Sequence, residues 1–208
     1  MGGVKLNIAA TKTNFLKVKK SLLLTREGHE LLDEKRKILI HELNALVNVT
    51  DKLEKDVGEK LRQAYEVADK MVVVMGRRNV SALSLSMDIN SDISISQRRI
   101  MGVDVPTIGL NIIDKPPYHS PHDVSFYADE TILKFKEVLK LLAELAEKKI
   151  ALLRIAAEAF KTIRKVNALE KIYIPNYEDT FKYISERLDE EGRESFLTLK
   201  MIKSRLRG

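Results

Sequence analysis

The chain has 208 residues, of which 32% are charged and 6% aromatic, with no tryptophan. That balance is too poor in aromatic bulk for a compact globule of this length and suits long amphipathic helices instead. The absence of cysteine excludes disulfide staples and thiolate metal sites and fits a reducing compartment. The formal net charge of +6 is concentrated at the ends: residues 1–26 carry six bases and residues 197–208 four, with no acid in either stretch. Elsewhere acids outnumber bases, 30 to 26.

The first predicted element, residues 5–75, is a single long helix. No proline interrupts the run from Leu6 to Met75. One fixed seven-residue frame runs through Phe15, Val18, Leu22, Thr25, His29, Leu32, Arg36, Leu39, Leu43, Leu46, Thr50, Leu53, Val57, Lys60, Ala64, Val67 and Met71. Twelve of these seventeen positions are apolar, with no slip of frame. A repeat sustained this long predicts a coiled coil, and ~65 residues of helix span roughly 100 Å. His29 and Arg36 sit in the frame one heptad apart, where polar groups commonly fix register at a cost in stability.

Residues 76–128 differ in kind: they hold most of the prolines and serines. The stretches from Ser81 to Ile89 and from Asp92 to Arg99 alternate apolar and polar with period two, which predicts strands. A third β-rich run, Arg99 to Ile108, has Gly102 as a turn or bulge and Pro106 marking an edge strand. Lys115 to Asp123 is expected to be loop, and its His119 and His122 are read as solvated rather than as metal ligands. The module is expected to cap one end of the coil.

Residues 129–206 form the second long helix, with a frame from Phe135 through Val138, Leu142, Leu145, Lys149, Leu152, Ala156, Ala159, Ile163 and Val166. Leu139, Ala146, Leu153 and Phe160 widen the stripe. Beyond Pro175 the frame resumes with Phe181, Ile184, Leu188, Phe196, Leu199 and Ile202. An interior proline costs roughly 3 kcal/mol, so Pro175 either kinks a continuous helix or begins a separate one at its first turn. The fold class is therefore mainly α: two long helices folded antiparallel onto each other, with a small β-hairpin module at one end. Residue numbers of facing positions should sum to about 200, placing Arg36 near Asn167 and Glu170, and both basic ends should share one tip.

No glycine-rich phosphate loop occurs, and no set of acid, base, metal ligand and nucleophile suggests an active site. The longest apolar runs, such as Met71–Met75, are too short to span a bilayer, and no secretory leader is expected. The basic ends suggest either a grip on phosphates or insertion into a protein cavity. Aromatic interleaving for base stacking is sparse, with Phe15 near one end and Phe196 near the other.

Four stretches resemble the D subunit of the V-type and A-type rotary ATPases: Thr11–Leu39, Ile93–Pro106, Arg164–Ile184 (RKVNALEKIYIPNYEDTFKYI) and Leu188–Lys203. The resemblance covers about Leu6 to Lys203, with Gly28-His29 and Lys35-Arg36 where the family places comparable pairs. It implies a non-catalytic central-stalk rotor shaft, without a cofactor, carrying torque between a catalytic A/B hexamer and the membrane rotor ring. It further implies ATP-driven proton or sodium transport or ATP synthesis, and a peripheral location on the cytoplasmic side of the membrane. The implied partners are the hexamer, the small F subunit and the membrane-proximal rotor subunit (C or d), without nucleic acid and without membrane insertion. Candidate contacts are Lys12, Lys17, Lys20, Lys200 and Lys203 at the tip inside the hexamer, and Ile93, Ile95, Arg98, Arg99 and Val103 in the hairpin module. His29, Arg36 and Pro175 are structural candidates. A static coiled-coil spacer and a nucleic-acid-binding coiled coil are the competing expectations.

Overall fold

The computed structural model describes residues 6–87, 90–113 and 125–207; the expected loop with His119 and His122 lies outside them. In chain order the elements are α1 (Lys12–Met75), α2 (Arg77–Ser86), β1 (Asn90–Ile100), β2 (Val103–Ile113), α3 (Phe126–Ala168), a π-helical turn (Leu169–Tyr173) and α4 (Ile174–Arg207). The chain divides into two compact units: one of Met1–Ile38 with Ala159–Gly208, the other of Leu39–Glu158.

Thr11 starts α1. Its Oγ1 accepts from the Asn14 amide at 3.2 Å, and Asn14 Nδ2 donates to the Ala9 carbonyl at 2.8 Å, the local bonding that satisfies free N-terminal groups. Gly76 stops the helix in the left-handed region, at φ 78°. Between these ends the predicted frame holds at every position. The eight buried residues of α1 (Val18, Leu22, Leu39, Thr50, Val57, Ala64, Val67 and Met71) all belong to it, and none of the seventeen is exposed. Thr50 enters the seam because its hydroxyl donates to the Leu46 carbonyl at 2.7 Å, so a polar residue is buried without an unmet group.

In the unit built from the chain ends, α1 packs against α4. Phe15 stacks on Phe181 with centroids 4.8 Å apart, and Arg26 pairs with Glu178. The Leu6 amide donates to Thr180 Oγ1 at 3.0 Å, while that hydroxyl donates to the Asn176 carbonyl at 2.7 Å. Thr162, Val166, Thr180 and Ile184 are buried here. At Pro175 the helix does not restart: Ile174 is helical, at φ −61° and ψ −52°, and its amide reaches back five residues to the Leu169 carbonyl. The widened turn gives the pyrrolidine ring room that a normal α-turn denies it.

In the other unit α1 and α3 are antiparallel. Tyr65 meets Phe135 edge to face at 5.6 Å, Lys60 faces Glu137 at 3.6 Å, and Lys149 faces Glu54 at 3.0 Å. β1 and β2 form an antiparallel hairpin with Ile100 opposite Val103. Met101 and Gly102 make its two-residue turn at φ 48° and 80°, the left-handed pair that matches strand twist. Met71, Leu83 and Ala128 form a small core with Met75, Val80, Met87 and Tyr127 packed around it.

Two expectations are corrected. Ser81–Ser86 is helix, not strand. Val80, Leu83 and Met87, spaced three and four apart, turn toward the core while Leu85 points to solvent, so helical spacing outweighs the alternation. The hairpin is consequently made from the second and third β-rich runs. In α3 most of the predicted frame holds: Phe135, Val138, Leu145, Leu152, Ala156, Ala159, Ile163 and Val166 are buried or half-buried. Its exceptions are Leu142 and Lys149, which are exposed, while Leu141, Lys148, Ile155 and Thr162 beside the frame turn inward. Lys148 and Thr162 are polar, so a hydropathy pattern gives no sign of their inward placement.

Candidate interaction surfaces

Three surfaces concentrate the candidate residues. The first lies in the chain-end unit. Lys12, Lys17 and Lys20 are exposed on the opening turns of α1, beside the part of α4 where Phe15 meets Phe181. From Asp189 to Leu206 every residue of α4 is exposed, including Phe196, Leu199 and Ile202. Lys200 and Lys203 belong to this overhang, about 30 Å along the helix from Phe181 at 1.5 Å per residue. The two basic clusters are therefore stepped along α4 rather than gathered at one point.

The structural candidates of this unit are internal. His29 is half-buried and its Nε2 is enclosed with no hydrogen-bond partner. Arg36 pairs with Asp33 of its own helix, which also binds Lys37 at 2.9 Å. The Lys37 hydrogen bond outweighs the opposing effect of burial and, with the charges on Arg36 and Lys37, holds the Asp33 carboxyl below its ordinary value of 3.8. This local pair needs no ordering of a second helix.

The second surface is the hairpin. β2 is anchored on α3 by two bonds that the sequence did not reveal: the Ile108 amide donates to Glu147 Oε2 at 2.9 Å, and Arg154 donates to the Asp104 carbonyl at 2.7 Å. Burial alone would raise the Glu147 carboxyl, but the Ile108 amide and Lys148 overcome it and hold the group below its ordinary 4.5. Val103 is buried within the unit, whereas Ile93, Ile95, Arg98 and Arg99 are exposed. Arg99 is tied to Asp104 at 2.8 Å across the hairpin. Next to the hairpin an apolar groove of about 300 Å³ is lined by Met71, Val80, Leu83, Met87, Ile112 and Phe135, among others.

The third surface is an apolar stripe on α3. Leu139, Leu142, Ile150 and Leu153 are all exposed although they recur at helical spacing. The sequence signal was visible in the widened stripe, yet it gave no sign that this face would stay uncovered. Among the described residues no helix is long and apolar enough to cross a membrane, and no group of three or more His, Cys, Asp and Glu is placed to hold a metal.

Long helices with apolar faces left uncovered within the chain are the features of a subunit that buries those faces in an assembly. Residues 14–204 match the family model of the ATP synthase D subunit. The A-type ATP synthase D subunit of Thermococcus sibiricus is 37% identical over 204 residues, covering 97% of this chain and 95% of the relative. That of Methanobrevibacter smithii is 37% identical over 202 residues, covering 95% and 87%. The Pyrococcus furiosus protein of the same name is 34% identical over 204 residues, covering 97% and 95%. The chain belongs to the family of ATP synthase D subunits.

Proposed function

We propose that this chain is the non-catalytic shaft of the central stalk of an A-type ATP synthase, with the catalytic sites on other chains. It passes torque between a catalytic A/B hexamer and the membrane rotor ring from the cytoplasmic side. The observation that carries this reading is the seam of α1: from Val18 to Met71 all eight buried residues keep one seven-residue frame. A twisting load tends to slide or unwind paired helices, and each apolar side chain pulled from such a seam loses roughly 1.5–3 kcal/mol of burial. A single uninterrupted frame spreads that resistance along the helix, which a loop-rich domain cannot do.

The surfaces divide the partners. The α4 overhang with Lys200 and Lys203, together with Lys12, Lys17 and Lys20, faces the bore of the hexamer, where charge tunes approach and register. The hairpin residues Ile93, Ile95, Arg98 and Arg99 and the apolar groove serve the F subunit and the membrane-proximal rotor subunit. At Pro175 the π turn supplies a bend near the hexamer, since such turns and prolines are the usual sources of helix kinks. Native mass spectrometry of the chain mixed with the hexamer of its own complex is the direct test. One copy per hexamer is expected, and its loss when α4 is cut after Leu188. Retention of full binding by the shortened chain contradicts the assignment of the overhang.

A further inference from the structure

The outer edge of β1 carries an inference that does not depend on the shaft reading. Ile108 of β2 sends its amide away from the hairpin to Glu147, so its cross-strand partner Ile95 must also turn its backbone groups outward, as antiparallel geometry requires. By alternation Ser91, Ile93, Gln97 and Arg99 do the same. Among the described residues no third strand pairs with this edge, and all of β1 but Ile100 is exposed along its eleven residues. β1 contains none of the lysines, prolines or bulges that natural proteins use to blunt such an edge. Ile93 and Ile95 are 58% and 69% exposed.

The charges select the occupant. Asp92 and Arg98 lie on the same face of β1, and neither has an ion-pair partner among the described residues. An antiparallel neighbour placed with its Ile95 opposite Ile95 brings the partner's Arg98 against Asp92 and the partner's Asp92 against Arg98. The same register sets Ser94 against the partner's Ser96 and covers Ile95 with the partner's Ile95. It overlaps the full strand, and it is the register in which the outward-facing residues of both copies bond while both charges are matched. Shifting by two residues in either direction leaves both charges without an opposite partner.

We propose that β1 is a self-complementary docking edge, by which two unassembled copies of this chain join their hairpins into one four-stranded antiparallel sheet. The pairing covers an edge that otherwise templates aggregation. Its area is at the small end of specific interfaces, so association is weak and concentration-dependent.

Sedimentation of the full chain tests this at concentrations on the order of 100 µM, where small interfaces of this kind associate. The wild type is expected to form dimers. Asp92→Arg and Arg98→Asp should each be monomeric, an equal mixture of the two should form a heterodimer, and the double exchange within one chain should dimerise again. Ile95→Pro should also abolish the dimer while leaving the hairpin ladder intact, because its lost amide points outward as Pro106 does in β2. Circular dichroism confirms that each variant is folded. A monomeric wild type, a dimer indifferent to the single charge changes, or an equal mixture that stays monomeric overturns the proposal. Failure of hexamer binding leaves it untouched.

Discussion

Replacing Glu147 with alanine isolates one of the two bonds that hold the hairpin on α3. The carboxylate accepts the Ile108 amide at 2.9 Å and is only 17% exposed, so solvent substitutes poorly for it. A hydrogen bond to a charged group contributes about 1.5–3 kcal/mol, and each ~1.4 kcal/mol is tenfold in an equilibrium. Hydrogen exchange at the Ile108 amide, followed by NMR, should therefore accelerate about 10- to 100-fold in Glu147→Ala. Glu147→Gln keeps an acceptor without charge and should lose less. The Ile95 amide, on the outer edge of β1, should exchange rapidly in both proteins when they are dilute enough to be monomeric. The carboxyl is held below 4.5 in the folded state, so its contribution is present above that pH and fades as pH falls through the lower folded value. Unchanged exchange at Ile108 in Glu147→Ala, or an acceleration shared equally by every amide of the unit, refutes the clamp.

Ile155→Ala and Leu153→Ala test which face of α3 is buried. The first removes a fully buried side chain and should cost about 2–5 kcal/mol in denaturant unfolding, the range typical of large-to-small changes in a core. The second truncates an exposed residue and should stay within about 0.5 kcal/mol. His29→Leu should stabilise the chain by about 1–2 kcal/mol, because it removes an enclosed nitrogen that has no partner; a destabilised variant contradicts that account. Gly102→Ala should cost about 1 kcal/mol, read as a lower unfolding midpoint, because φ there is 80°.

The long helices were legible because burial and periodicity coincide in α1, where apolar residues fill most seam positions. In α3 the same logic failed at Leu142 and Lys149, which are exposed, and passed over the buried Thr162. A threonine whose hydroxyl bonds its own helix can be buried like valine, as Thr50 and Thr180 show, and a hydropathy pattern does not distinguish the two. The strand assigned to Ser81–Ile89 failed over Ser81–Ser86 for a related reason: three apolar residues at period two, Leu83, Leu85 and Met87, also fit a helix once Val80 is counted. The candidate surfaces were legible as residue types but not as places. Exposure of the α3 stripe, the burial of Val103 and the Glu147 and Arg154 anchors depend on which face the hairpin occupies, and contacts 39 and 50 residues apart leave no local mark.

The central claim is that this chain turns. It has no cysteine, so Gln97→Cys on the exposed hairpin gives one attachment point for a bead, with the hexamer of its own complex fixed to a surface. The account predicts that ATP drives sustained rotation of the bead in one direction and that rotation stops when ATP is withdrawn. A hexamer that hydrolyses ATP with the chain bound while the bead stands still contradicts it.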